Sequence, residues 1–125
     1  MADFSNAMYS LIITIVDRGY ADQVMDAARE MGARGGTVLY ARGTGVHETA
    51  RFMNIAIQPE KEMVLIIVNN KSVKDTIKAI LEVAGLRTSG HGISFTLPVT
   101  DFVGVVSNMG EDNMIEVFEK KPQPE

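Results

Sequence analysis

Twice along this chain, an apolar run rich in β-branched residues leads into a stripe at helical spacing, a glycine stop and a second apolar run. The first unit reads "MYSLIITIVD" (8–17), "GYADQVMDAAREMGARGG" and "GTVLYARG" (36–43). Short β-branched runs bounded by turn residues read as strands. Between them Tyr20, Val24, Met25, Ala28 and Met31 share one helical face, which Gly32 closes. The second unit begins with "EMVLIIVNN" (62–70) and continues into a helix capped by Ser72. Val73, Ile77, Ile80, Leu81 and Ala84 form its stripe and Gly85 its stop. The last run, "ISFTLPVTDFVGVV" (93–106), contains Pro98, which calls for a sheet edge, a bulge or a strand end.

A repeated strand–helix–strand order predicts an α+β, ferredoxin-like βαββαβ fold, one antiparallel sheet with two helices on one face. The chain reads as a single domain over 1–125, with a core at 8–106 and a polar tail at 107–125 that includes "EKKPQPE". An excursion from Gly43 to Glu60 joins the two units, and its "FMNIAI" suits a hairpin arm. In the third strand Val64, Ile66 and Val68 alternate with Leu65 and Ile67. That strand is apolar on both faces and needs cover on both. Helices supply one cover, so a second subunit is expected on the other.

Composition narrows the function. A net charge of −4 over 125 residues argues against a general nucleic-acid binder, which needs a basic face. The absence of cysteine removes disulfide and thiolate chemistry and suits a cytoplasmic protein. The apolar run 11–16 is too short to span a bilayer, so the chain is expected not to be membrane-embedded.

Three glycine-bearing turns stand out. "RGGTV" (34–38) reads as a helix stop and a turn into a strand. "ARGTG" brackets Thr44 between Gly43 and Gly45 at a strand end, where backbone N–H groups lie open to a ligand or simply turn. "TSGHG" (88–92) is either a tight connection or an anion nest, with Thr88 and Ser89 adding hydroxyls and Arg87 adding charge. No Lys-Ser or Lys-Thr follows it as a P-loop requires. His47 and His91 read as solvated polar residues, and no metal site or catalytic group is expected.

Together, "GGTV" (35–38), "RGTG" (42–45) and "GHGISFTLPV" (90–99), in this order across two βαβ units, resemble the PII signal-transduction family over 8–106. The resemblance implies a homotrimer with adenine-nucleotide sites between subunits and a flexible T-loop, here 44–60, that docks on a regulated partner (a transporter, an enzyme or a regulator). It places Thr37 and Val64 near the adenine and turns the backbones of Gly43, Gly45, Gly90, His91 and Gly92 toward the phosphates; Thr44 and Arg87, in or beside the same turns, complete the expected ligand-binding set. ADP, AMP, ATP or another adenosine nucleotide is the candidate ligand, with no obligatory cofactor and no direct nucleic-acid partner.

The chain also departs from the family pattern. Ile93 stands where the family has a lysine, and no basic residue occurs from Ile93 to Val106, where the family carries two arginines. The ligand expected is therefore less charged than ATP, with Arg42 and Arg87 as partial substitutes. The 44–60 segment has no tyrosine for uridylylation, and Thr49 is its only hydroxyl after Gly45. Two other readings stand beside this one: a protein-interaction module of the same fold without nucleotide, and an ACT-like amino-acid-binding module.

Overall fold

The run "YSLIITIVD" forms the central strand of the sheet, β1 (Tyr9–Asp17). The computed structural model describes residues 7–43, 50–52, 55–57, 59–86 and 92–104. After β1 come α1 (Ala21–Glu30), β2 (Thr37–Arg42), a short hairpin of β3 (Ala50–Phe52) with β4 (Ile55–Ile57), β5 (Glu60–Asn69), α2 (Val73–Ala84) and β6 (Gly92–Val99). The four long strands form one antiparallel sheet in the order β2-β5-β1-β6. This is the ferredoxin-like order, and the hairpin is inserted in the chain between β2 and β5.

Alternation along the strands sorts their residues between two faces. Ile12, Thr14 and Val16 of β1 and Val64, Ile66 and Val68 of β5 are buried with Val24, Met25 and Ala28 of α1 and Ile80 and Ala84 of α2. These residues are the core. Among the described residues the other face has no helix on it. One row across it is Leu39, Met63, Ile15 and Ile93; the next is Thr37, Leu65, Ile13 and Phe95; a third is Ile67, Leu11 and Leu97. At one end of this face Tyr9 is buried against Phe102, ring centroids 4.7 Å apart and edge-on. Beyond that end Leu39, Ile93, Phe95 and Leu97 stay 40% exposed or more. Exposed apolar side chains gathered on one face in this way suit an interaction surface.

Element ends follow the sequence in some places and depart from it in others. Gly32 (φ +106) ends α1, and Gly85 in the left-handed region (φ +66) ends α2 with its N–H on the Leu81 carbonyl. Ser72 does not cap α2. It has helical dihedrals and makes no side-chain cap bond, because Asn69 starts the turn three residues earlier, its Oδ1 accepting from Lys71 N–H at 2.8 Å. The last strand stops at Val99 instead of running to Val106, because β1 offers no partner beyond Tyr9. Pro98 sits inside β6, which is the sheet edge that a missing N–H tolerates. Thr76 was no part of the apolar stripe, yet it is buried and its hydroxyl has no partner among the described residues.

Gly36 allows a close approach of β2 to its neighbours. A Cβ there would lie 2.7 Å from the Leu65 carbonyl oxygen and 2.9 Å from Met25 Sδ. This glycine answers to packing, in line with the plain-turn reading of "RGGTV".

Candidate functional site

Three strand ends meet at one end of the sheet: the finish of β1 and of β2, and the start of β5. Strand β5 opens "EKE", so alternation sends Glu60 and Glu62 to one side and Lys61 to the other. Each then finds its partner by register. Asp17 lies opposite Lys61, and the Lys61 ammonium meets Asp17 Oδ1 at 2.6 Å. The Lys61 side chain is only 7% exposed, a charge that stays buried only because it is paired.

Glu62, also buried, serves the helix. Its Oε1 accepts from Gly19 N–H at 2.8 Å and from Ala21 N–H at 3.0 Å. The N-cap residue Tyr20 makes no side-chain cap bond, so a carboxylate from β5 satisfies the helix start in its place. Its negative charge also suits the positive end of the helix dipole.

Glu60 behaves differently. Its carboxylate pairs with Arg18, both side chains remaining exposed, while Arg18 N–H donates to the Glu60 carbonyl at 3.3 Å. The hydrogen bond and charge of Glu60 raise the Arg18 pKa above its ordinary value, so the guanidinium stays charged. Glu60 lies opposite Arg42 in the β2–β5 register, and Arg42 makes no ion pair among the described residues. Gly43 N–H donates to the Pro59 carbonyl at 3.2 Å, closing the base of the 44–58 insertion.

Arg18, Tyr40, Ala41, Arg42, Glu60 and Lys61 together line a cleft of about 500 Å³. Tyr40 is 79% exposed and offers a flat aromatic surface. Two exposed guanidinium residues, Arg18 and Arg42, and Glu60 therefore line a cavity the size of a small metabolite, while the Lys61 ammonium is held by Asp17. Among the described residues no group of His, Asp or Glu could hold a metal ion.

The site residues named from the sequence fall in different places. Gly43 directly follows the lining residue Arg42, and a Cβ there would meet only Lys61 Cγ, at 3.8 Å. Thr37 begins β2 opposite Leu65 and is exposed, on the face without helices. Val64 is fully buried in the core, so its side chain is committed to packing. Gly92 begins β6 opposite Val16 at φ +152, and a Cβ on it would overlap the Ile15 carbonyl oxygen and come within 2.9 Å of Leu86. Thr44, Gly45, Arg87, Gly90 and His91 lie outside the described residues, as do His47 and Thr49.

Gly43 and Gly92 are at the same end of the sheet but on opposite edge strands, with β5 and β1 between them. Three strand spacings make that about 14 Å. Gly43 and Gly92 therefore do not meet within one chain. The sequence alone did not bring out Arg18, Tyr40, Glu60 and Lys61 as a group. The alternating charge of "EKE" at a strand start is the one local signal, and only register gives it partners.

The family described as "Nitrogen regulatory protein P-II" matches residues 9–108. Among solved structures, Arabidopsis thaliana PII bound to citrate is similar, with 28% identity, 85% of this chain and 86% of that chain covered, and a TM-score of 0.62. No curated protein matches the chain.

Proposed function

This chain belongs to the nitrogen regulatory protein P-II family, a family of signalling proteins, and from that premise we propose a function for it. It is a regulator that senses a small adenosine-type metabolite in clefts between the subunits of a homotrimer. Through the 44–60 segment it controls a partner, which is a transporter, an enzyme or a regulator. Among the described residues no helix is long and apolar enough to cross a membrane, and the proposal places the protein in the cytoplasm.

One observation carries the reading. Gly43 and Gly92 lie about 14 Å apart on opposite sheet edges, and the sheet face between those edges is apolar and carries no helix among the described residues. Covering that face with further copies buries the patch and sets one chain's β2 edge beside another chain's β6 edge. A cleft between copies then draws one glycine turn from each. The solved relative is bound to citrate, a small anion, which agrees with a family member that takes an anionic ligand. The insertion that holds β3 and β4 follows Gly43 directly in the chain, which makes it the natural output segment of the proposed sensor.

A second reading has its own support. Gly92 is required by its contacts with Ile15 and Leu86 whether or not a ligand binds. A trimeric interaction module without nucleotide would keep it too. Thermal unfolding with ATP, ADP, AMP, cyclic di-AMP, S-adenosylmethionine and free amino acids separates the two. A ligand at about a hundred times its Kd adds about 2.7 kcal/mol, a shift of several degrees for a domain of this size. A shift with one adenosine compound supports the sensor. No shift with any nucleotide favours the interaction module, and a shift with an amino acid alone favours the ACT-like one.

A further inference from the structure

We propose that Arg18 and Arg42 are the anion clamp of this chain, that they take the phosphate of a phosphate monoester, and that the ligand must displace Glu60 from Arg18 to bind. The inference deepens the sensor reading and rests on it only for the role of the insertion as output.

Charge at the cleft leads to it. Lys61 is buried and engaged by Asp17, so it is not available for a ligand. Arg42 has no ion-pair partner among the described residues, and Arg18 has only Glu60, in a pair open to water. Exposed pairs of this kind are weak, so a better anion readily replaces the carboxylate. With Glu60 displaced, two guanidiniums face the cleft, a match for a dianion and a poor match for a triphosphate. Guanidinium forks bond phosphate oxygens in pairs, which holds the group in one orientation. Tyr40, an exposed residue of the same lining, gives an aromatic face to a base attached to that phosphate. The cleft of about 500 Å³ suits a mononucleotide.

The coupling follows from the place of Glu60 in the chain. It is the first residue of β5, directly after Pro59, whose carbonyl accepts from Gly43 N–H. A ligand that takes Arg18 therefore frees the carboxylate at the root of the insertion. Glu60 is thus a competitor for the site that stands where the insertion rejoins the sheet. Glu62, two residues on, holds α1 and is not part of this exchange.

The test is a titration of the full chain, followed by 15N NMR at the Arg18 Nε and Gly43 amide signals, with inorganic phosphate and AMP as probes. The wild type is expected to bind both saturably at millimolar concentration or below. Glu60→Gln is expected to bind each about two- to five-fold tighter, the value of the lost competitor. Arg18→Gln and Arg42→Gln are each expected to weaken binding about tenfold or more, and Arg18→Lys to restore part of it. Failure of both probes to move the two signals in wild type and in Glu60→Gln overturns the proposal. So does a Glu60→Gln variant that binds no tighter. AMP binding untouched by either arginine variant overturns the clamp and leaves the adenosine sensor standing. Clamp-dependent phosphate binding with AMP no tighter than phosphate supports the clamp and counts against the adenosine reading.

Discussion

The sheet has two faces of nearly equal apolar content and opposite fates. Under the helices, Ile12, Val16, Val64, Ile66 and Ile80 are 1% exposed or less. On the other face, equally apolar rows built on Leu65, Ile13 and Phe95 end in residues such as Phe95 and Ile93, which are 40% and 57% exposed. The first face is completed by this chain's own helices, the second by nothing among the described residues except Phe102 at one end. Apolarity alone therefore does not say what covers a surface. The difference shows which part of the fold one chain can finish alone.

Substitutions on the two faces should separate folding from assembly. On the covered face, Ile66→Ala leaves a cavity in the close-packed core and is expected to cost about 2–5 kcal/mol, read from urea or thermal unfolding. On the other face, Phe95→Lys puts a charge into the patch. It is expected to disperse the assembly to single chains by light scattering while the helical circular dichroism stays close to wild type. If Phe95→Lys leaves the assembly intact, the open face is not the interface. The two glutamates sharpen the contrast on a smaller scale. Glu62→Ala removes the acceptor for two N–H groups at the start of α1 and is expected to cost about 0.5–2 kcal/mol. Glu60→Ala is expected to cost less than about 1 kcal/mol, and that loss should shrink as salt is added. Equal costs for the two would erase the distinction between a helix cap and an exposed ion pair.

Much of the fold was legible because periodicity reports local geometry. The β-branched runs became β1, β2, β5 and β6, and the stripes of Val24, Met25, Ala28, Ile80 and Ala84 became the buried faces of the helices. Gly85 could be read as a helix end because its left-handed backbone suits glycine. Ser72 misled because propensity does not say which of two neighbouring polar residues wins a cap; Asn69 won it. The cleft was the least legible part. Arg18, Arg42 and Glu60 are far apart in sequence, and only the pairing of β1, β5 and β2 gathers them. Gly92 was read toward a ligand, and what the fold shows there is contact with Ile15 and Leu86. A ligand test therefore belongs on Arg18 and Arg42, since Gly92→Ala would disturb β6 whatever binds.

The central claim is that further copies of this chain complete the uncovered sheet face and, with it, the cleft. Light scattering on the eluting wild-type protein at micromolar concentration, beside Phe95→Lys, tests it most directly. The account gives the mass of three chains for the wild type and of one for the variant. A single-chain mass for the wild type would contradict it.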